Sequence, residues 1–286
     1  MTGTGTLPKD EGERTASRRP EVVRRIVSAV LLAAVALGAT LLSPWSFLVL
    51  VMIGGGLIAW EWGRLTRGNG FDATALISAV SVCAVAVLTA LGYPELAAFI
   101  LAAAAVAIFA TAPTREQSGW AIAGLAYVAL PALALIWLRS DATFGAMAVL
   151  YLFAVAWTTD TASYGAGRLI GGAKLAPRIS PQKTWSGFIV GVLTPALVGI
   201  AFAAALKSSS ALKLALISVV LALACQFGDL AESWVKRRFG AKDMSQLIPG
   251  HGGLLDRVDG FLFAAVLAAL IALRDPASPG RGLLIW

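Results

Sequence analysis

Long runs of apolar residues, separated by short polar stretches, make up most of the chain. A transmembrane helix needs about 20 predominantly apolar residues, and fewer where one of its ends is buried in protein. About nine runs come near this length, of which the sixth and ninth are short: 26–43, 45–62, 73–92, 94–112, 119–138, 143–159, 187–206, 211–228 and 258–273. The pattern therefore predicts an all-α, polytopic integral membrane protein with about nine transmembrane helices.

The composition agrees with this fold class. The apolar residues AVILMFWYC make up 58% of the chain and charged residues 14%, whereas a soluble domain carries about 25% charged residues. Residues 1–25 are polar and rich in Arg, which predicts a disordered cytoplasmic tail. A cleaved signal peptide is the competing interpretation, but no clear cleavage site follows the first apolar run. We therefore divide the rest into N-terminal transmembrane helices over 26–138 and a catalytic transmembrane region over 139–286.

The distribution of basic residues predicts the orientation in the membrane. With the N-terminus in the cytoplasm, most of the 23 Lys and Arg residues fall on the cytoplasmic side, as the positive-inside rule requires. Two polar loops, 160–186 and 229–257, then lie on that same face of a cell inner (cytoplasmic) membrane. The net charge of +7 would attract anionic headgroups and nucleotides. Nucleic-acid binding is not expected, because the basic residues flank spans and form no platform interleaved with aromatic residues.

Most of the candidate chemistry lies in the loop 229–257 and at its two ends. The eighth span is expected to continue as a helix past Gly228, which places four polar residues on one helix face, at offsets of three, four and seven: Asp229, Glu232, Ser233 and Lys236. Asp256 and Asp259 share a face at the start of the ninth span. Each carboxylate alone could belong to a solvated ion pair or complement a helix dipole. The whole cluster favours a functional site, because acidic groups at the membrane edge are costly.

The loop 160–186 carries a second, weaker signal. Asp160 ends the sixth span, and glycines and cations then precede the segment that contains Ser180 and Lys183. Glycine lets a backbone approach phosphates closely, and Lys or Arg neutralises them, but the spacing is not that of a P-loop. Composition alone favours a plain connection here. Likewise, Glu61 and Arg64, one helical turn apart, are interpreted as a solvated pair.

The polar residue types indicate which ion and which reaction would suit the loops. Carboxylates without clustered Cys or His favour Mg²⁺ carried with the phosphates of a nucleotide, and they disfavour zinc. His251, the only histidine, is expected to shape a turn, with a ligand or base role as the less favoured alternative. A phosphomonoester is already ionised near neutral pH, so a reaction between two phosphates needs positioning and charge neutralisation more than a base.

The pattern of these residues resembles the phosphatidate cytidylyltransferase (CDP-diacylglycerol synthase) family. The signature of that family is matched by Ser233, Val235, Lys236, Arg237, Lys242, Asp243, Ser245, Pro249, His251, Gly252, Gly253, Asp256, Arg257 and Asp259. Weaker resemblance extends to Asp160 and to the segment from Ser180 to Trp185. The resemblance implies that CTP and phosphatidate react to CDP-diacylglycerol and pyrophosphate, for phospholipid biosynthesis. It also implies a homodimer, a requirement for Mg²⁺ and, in some members, a second monovalent cation such as K⁺.

The resemblance also implies roles for individual residues. The implied catalytic residues are Asp229, Ser233, Lys236, Asp256 and Asp259, with Asp229, Asp256 and Asp259 as metal ligands. The implied phosphate-binding residues are Ser180, Lys183, Arg237, Lys242 and Arg257. Asp160, Glu232 and His251 are looser candidates for the same pocket. Ser186 is assigned no role, because many family members carry Glu or Gln at that position.

Two alternative functions stay open at this point. A transporter of anionic metabolites would use the loop cations for selectivity, but broken helices and charges near the bilayer midplane are expected of it, whereas these charges cluster at span ends. A nucleotidyltransferase that acts on another lipid phosphate, such as a polyprenyl phosphate, would share the same chemistry. A CDP-alcohol phosphotransferase is disfavoured, because its DxxDGxxAR pattern is absent from the sequence.

Overall fold

A computed structural model describes residues 11–207, 210–248 and 252–286, with the side chains of 11–26 left aside. Within these residues, eleven helices and one two-stranded sheet follow one another. The helices are α1 (Glu11–Leu42), α2 (Pro44–Arg67), α3 (Ala73–Ala90), α4 (Pro94–Thr111), α5 (Arg115–Arg139), α6 (Gly145–Leu169), α7 (Trp185–Leu193), α8 (Ala196–Leu206), α9 (Ala211–Arg238), α10 (Leu255–Ala272) and α11 (Pro279–Leu284). The strands are β1 (Lys174–Ala176) and β2 (Ser180–Thr184), which pair antiparallel.

Each of the predicted apolar runs lies within a helix or extends at most two residues beyond it; the run 187–206 lies within the pair α7 and α8. In the described part of the chain, six helical segments are long and apolar enough to cross a membrane: Pro44–Arg67, Ala73–Ala90, Pro94–Thr111, Arg115–Arg139, Trp185–Leu206 and Ala211–Arg238. Val27–Leu42 is a shorter apolar helix. The chain is thus a helical, multi-pass membrane protein, while the count of nine spans stays a prediction.

Local sequence signals set where several helices begin. Ser43 caps α2 by accepting a hydrogen bond from Ser46 N at 3.0 Å, and Pro44 occupies the first turn, where a missing N–H costs nothing. Asp72 caps α3 in the same way, through Ala75 N at 2.8 Å. These capped starts keep the connections between the first helices short, so that consecutive helices pack side by side.

The seventh apolar run is interrupted. Pro195 lacks an N–H and cannot donate a hydrogen bond to the preceding turn, which separates α7 from α8. The two halves pack differently: α7 lies against α6, and α8 lies against α9. The first half is held by close contact, since a Cβ on Gly191 would lie within bonding distance of the Ser163 side chain.

The C-terminal segment folds back onto the turn between α5 and α6. Asp141 is buried there and accepts hydrogen bonds from Ser278 Oγ at 2.5 Å and Arg281 N at 3.2 Å. Burial raises the pKa of Asp141, but hydrogen bonds from Phe144, Ser278, Arg281 and Thr143 outweigh it and lower the pKa below its ordinary value. The carboxylate therefore fixes α11 to the bundle in its ionised form.

The boundaries differ from the predicted ones in two places. α6 continues past Asp160 to Leu169, so the connection predicted over 160–186 begins later, and it contains the hairpin of β1 and β2. The sequence pattern did not predict these strands, because the hairpin is short. Lys174 lies opposite Thr184, and Ala176 lies opposite Ser180. At the N-terminus, α1 begins at Glu11, inside the segment predicted to be disordered; residues 1–10 lie outside the described part. The division into domains stays a prediction.

Candidate active site

One polar cavity of about 570 Å³ lies where the ends of α6, α9 and α10 meet the hairpin. Nine charged residues line it: Asp160, Arg168, Lys183, Asp229, Lys236, Asp243, Asp256, Arg257 and Asp259. Ser180, Gln182 and Thr184 line the hairpin side, and Ser163 and Gln226 contribute a hydroxyl and an amide. The structure thus brings together residues from the two predicted polar loops, 160–186 and 229–257.

Two glycines bring α9 and α10 into direct contact at this cavity. A Cβ on Gly228 would lie 2.8 Å from the carbonyl oxygen of Asp259, and a Cβ on Gly260 would lie 2.7 Å from the carbonyl oxygen of Cys225. Only residues without a side chain allow backbones this close. The close approach brings the two helix ends together and places Asp229 and Asp259 in the wall of the same cavity.

Lys236 holds the end of α9 to the start of α10. Its Nζ lies 2.5 Å from Glu232 Oε2 and 2.8 Å from Asp256 Oδ1. Glu232 is fully buried, and the side chains of Lys236 and Asp256 are 12% and 3% exposed. The predicted shared face of Glu232 and Lys236 is therefore confirmed, and the pair it forms is buried rather than solvated.

Asp256 organises the backbone of the charged loop. Besides the ammonium of Lys236, it accepts hydrogen bonds from Gly253 N at 2.6 Å and from Met244 N at 3.0 Å. A Cβ on Gly252, which has a φ of 84°, would lie 2.7 Å from Asp256 Oδ2. These contacts occupy the carboxylate, so its main role in this structure is to hold the loop and Lys236.

Asp229 connects α9 to the hairpin. Its Oδ2 lies 2.7 Å from Lys183 Nζ on β2, and its Oδ1 accepts a hydrogen bond from Ser233 Oγ at 3.4 Å. The side chains of Lys183 and Asp229 are 19% and 36% exposed, both at the polar cavity. A lysine held by one carboxylate in an open cavity can exchange that partner for an anionic ligand.

Three carboxylates line the cavity on one side: Asp160, Asp229 and Asp259. Over 11–207, 210–248 and 252–286, no group of three or more His, Cys, Asp or Glu side chains lies close enough to hold a metal ion. Magnesium does not require such a group, because proteins usually bind it through one or two carboxylates and the phosphates of the substrate. The oxygen donors of this cavity fit that mode, whereas Asp256 is occupied by its own hydrogen bonds.

Glu61 was interpreted from the sequence as part of a solvated pair, and that interpretation is wrong. Its side chain is fully buried. It accepts hydrogen bonds from Ser245 Oγ at 2.6 Å, Leu254 N at 2.8 Å and Leu255 N at 2.8 Å. The carboxylate of α2 thereby holds the charged loop and the first N–H groups of α10. An acidic residue inside an apolar span is costly without such partners, and this is the signal that could have identified it.

Other predicted residues lie outside the cavity wall. Arg237 is exposed and donates to the carbonyl oxygens of Ile179 and Ala241, at 3.3 and 3.0 Å, so it joins the hairpin to the charged loop. Lys242 is exposed and does not line the cavity. Ser233 contacts Asp229, and it too does not line the cavity. His251 lies outside the described residues.

The hairpin ends in a cap that orients α7. Thr184 accepts a hydrogen bond from Gly187 N at 3.2 Å and lies 3.0 Å from Ser186 Oγ, which donates to the carbonyl oxygen of Gly171 at 2.5 Å. Ser186, to which the sequence assigns no role, thus closes the loop before β1. These contacts join the end of β2 to the start of α7 and to the segment before β1.

A helical membrane protein with a charged cavity at its helix ends is the class that fold and site define. The chain belongs to the cytidylyltransferase family, whose sequence model matches residues 23–273. It is 38% identical over 246 residues to a phosphatidate cytidylyltransferase of Brucella suis, which covers 86% of this chain and 91% of the relative. A phosphatidate cytidylyltransferase of Rickettsia bellii is 40% identical over 165 residues, or 55% of this chain and 71% of the relative.

A third relative matches about half of the chain. The phosphatidate cytidylyltransferase of Staphylococcus saprophyticus is 39% identical over 159 residues, which is 55% of this chain and 60% of the relative. The predicted resemblance is therefore confirmed at the level of the family, while the roles of the individual site residues stay predictions.

Proposed function

We propose that the protein transfers CMP from CTP to phosphatidate, giving CDP-diacylglycerol and pyrophosphate for phospholipid biosynthesis. The observation that carries this proposal is the match over 86% of the chain to a relative named phosphatidate cytidylyltransferase. A polar cavity lined by carboxylates, lysines and arginines, set at the ends of membrane helices, supports it. Such a cavity suits a reaction between a lipid phosphate and a nucleotide.

The proposed reaction exchanges one phosphoanhydride bond for another. An oxygen of the phosphatidate phosphate attacks the α-phosphorus of CTP and forms a new P–O bond, while the bond from that phosphorus to the oxygen of the β-phosphate breaks. Pyrophosphate leaves with the electron pair of the broken bond. Because the attacking phosphomonoester is largely ionised near neutral pH, the protein needs to position both substrates and neutralise their charge, and no protein base is required.

The cations of the cavity divide into two groups by their partners. Lys183 and Lys236 are held by carboxylates. Arg168 and Arg257 line the same cavity, and within the described part of the chain no carboxylate forms a salt bridge with either of them. The planar guanidinium group suits bidentate contact with phosphate. We therefore assign the two arginines to substrate phosphates, with Lys183 as a third cation that exchanges Asp229 for a phosphate oxygen.

Magnesium would be held by Asp229 and Asp259, with Asp160 as a further donor and the triphosphate completing the coordination. When bound, the ion would neutralise the charge that develops on the phosphates in the transition state. Asp256 acts through Lys236 and the loop backbone in this proposal, and not as a direct ligand. A second monovalent cation such as K⁺ and a homodimeric state also belong to the proposal.

The proposed location is the cell inner membrane, with the N-terminus and the cavity on the cytoplasmic side, where CTP is available. The excess of Lys and Arg in the segments assigned to that side supports it. Cysteine-accessibility labelling tests the orientation. Lys242→Cys lies in an exposed part of the charged loop and should react only after the membrane is made permeable in intact cells, whereas labelling without that step would place the cavity outside.

A direct assay tests the reaction. The purified full-length protein is incubated in detergent with CTP, Mg²⁺ and phosphatidate, and pyrophosphate release and nucleotide transfer to lipid are both measured. Release that requires phosphatidate and CTP together supports the proposal, and a chelator should stop it until Mg²⁺ is restored. Release with a polyprenyl phosphate but not with phosphatidate would indicate another lipid substrate. Absence of release with either lipid, together with anion uptake by reconstituted vesicles, would overturn the proposal in favour of a transporter.

A further inference from the structure

A second cavity, of about 310 Å³, lies next to the polar one and differs from it in chemistry. It is enclosed by α1, α2, α5, α6 and α10, and among the described residues its wall is apolar except for Arg257. Phe47, Leu50, Phe153 and Phe261 give it a hydrocarbon-like lining. We refer to it below as the apolar cavity.

Arg257 belongs to the walls of both cavities. It lies in the first turn of α10, between Asp256, which faces the polar cavity, and Val258, which faces the apolar one. One cation thus stands where a polar compartment meets an apolar compartment. An amphiphile with a phosphate at the end of a hydrocarbon chain has this same sequence of groups.

We propose that the apolar cavity holds an acyl chain of the lipid phosphate substrate, and that Arg257 binds the phosphate of that lipid at the junction of the two cavities. This inference rests on the proposed function and adds to it the place of the lipid tail. The nucleotide then occupies the polar cavity on the other side of Arg257, so that the lipid phosphate and the triphosphate meet between the arginine and the carboxylates.

A third cavity serves as a comparison. It is also apolar, with about 570 Å³, and lies between α5, α9 and α10, with Val220 and Phe227 in its wall. No charged residue lines it within the described part of the chain, and it shares no wall residue with the polar cavity. A lipid tail placed there would leave its phosphate without a cation, so charge complementarity favours the cavity at Arg257.

The apolar cavity would act by positioning the lipid and contribute little affinity. Lipid tails are as apolar as leucine, so moving an acyl chain from the bilayer into the protein gains little hydrophobic free energy. The cavity holds the lipid phosphate in a fixed position relative to CTP, and this positioning raises the rate of the reaction. Filling the cavity should therefore lower kcat/KM for phosphatidate and leave the KM for CTP nearly unchanged.

Gly54 offers a way to fill the cavity with little damage to the fold. It lies on α2 in the cavity wall, and a Cβ there would meet only Leu254 Cδ2, at 3.9 Å. Gly54→Phe therefore extends a ring into the cavity, and Gly54→Ala is the conservative counterpart. The matched control is Val220→Phe, which adds the same ring at an exposed position of the third cavity.

The test is photo-crosslinking of the full-length protein in detergent micelles with a phosphatidate that carries a diazirine near the end of one acyl chain. Peptide mapping should place the label on the segments of α1, α2 and α10 that line the apolar cavity, and unlabelled phosphatidate should compete. Gly54→Phe should reduce this labelling and kcat/KM for phosphatidate about tenfold or more. Gly54→Ala, which fills less of the cavity, should reduce both less than Gly54→Phe does, and Val220→Phe should stay close to wild type.

Label concentrated around Val220 and Phe227, or spread over the exposed helix faces, would overturn the inference. Mapping of the wild-type protein decides this even where Gly54→Phe does not fold. The two proposals fail in different ways. A wild-type protein that makes no lipid-linked nucleotide overturns the proposed function and this inference with it, whereas normal turnover with label outside the apolar cavity overturns this inference alone.

Discussion

Lys236 Nζ lies 2.8 Å from Asp256 Oδ1, and this ion pair joins the last turns of α9 to the first turn of α10. The two side chains are 12% and 3% exposed, so the pair is screened little by solvent. Because Lys236 also contacts the buried Glu232, one ammonium compensates two carboxylates. The geometry of the polar cavity depends on this compensation.

Replacing Lys236 by Met should therefore destabilise the protein. The change leaves Glu232 and Asp256 buried without their cation, which costs about 3 kcal/mol or more in comparable buried pairs. Thermal unfolding in detergent measures the loss, and nucleotide transfer should fall below detection. Arg238→Met is the control, since Arg238 forms an exposed pair with Glu116 at 3.5 Å. Equal effects of the two variants would contradict the role of the buried pair.

Glu61→Gln tests the contact between α2 and the charged loop. The carboxylate accepts from Ser245, Leu254 and Leu255, and an amide would offer its NH₂ group where one acceptor is needed. The expected loss of stability is about 2 kcal/mol, with lower kcat and little change in the KM for CTP. Glu95→Gln, at an exposed position in the first turn of α4, should behave like wild type. Unchanged unfolding of Glu61→Gln would show that these hydrogen bonds contribute nothing.

Asp229→Asn should abolish most turnover while the protein still folds and inserts. The substitution removes the charge that faces Lys183 and a proposed ligand of Mg²⁺, and a loss of about a hundredfold or more in kcat is expected. Raising the Mg²⁺ concentration should recover part of the activity. Asp275→Asn, which alters only a pair with Arg281 near the C-terminus, is the control. Wild-type turnover of Asp229→Asn would remove Asp229 from the site.

Gly260→Ala tests the close approach of α9 and α10. The added methyl group would lie 2.7 Å from the carbonyl oxygen of Cys225, so the helices must separate, at a cost of about 1–3 kcal/mol. Activity should fall with stability, because the carboxylates on the two helices move apart. Gly56→Ala is the matched control, since a Cβ there meets nothing within 4 Å; it should be neutral or stabilising by up to about 1 kcal/mol. Identical melting of both variants would contradict the packing argument.

The lowered pKa of Asp141 predicts how the stability of the protein depends on pH. The pKa of this carboxyl group is lowered in the folded protein, because hydrogen bonds outweigh burial. Its contribution to the free energy of unfolding is therefore fully present above the ordinary aspartate pKa of about 3.9. That contribution is lost as the pH falls through the lower pKa of the folded state. Asp141→Asn should unfold more easily at neutral pH, and the difference from wild type should shrink in acid. A difference that is constant between pH 7 and pH 3 would contradict this role.

The sequence predicted the helices and the part of the site that lies on α9. Apolar runs locate every long helix because a bilayer demands it, and the helical spacing of Asp229, Glu232 and Lys236 placed them on one face. The spacing of residues along the sequence could not predict the contacts that these residues make with Asp256 and Lys183. Lys183 and Asp229 lie on different elements, as do Lys236 and Asp256, and only the packing of those elements decides that these side chains meet.

Glu61 and the hairpin show why the remainder was missed. The spacing of Glu61 and Arg64 on one helix suggested a local pair, but the carboxylate faces a segment more than half the chain away. The hairpin is too short for a period-two pattern to show. In both cases tertiary packing overrides what neighbours in sequence suggest.

The hydrogen bonds of Glu61 also set an order of events during biosynthesis. Its acceptor oxygens leave the ribosome 193 residues before the amide of Leu254 that donates to them. Until Leu254 and the start of α10 have been synthesised, the nascent chain therefore holds an acidic side chain without these backbone donors. The loop that carries Ser245 and Leu254 can therefore reach its native position against α2 only after both segments have been synthesised.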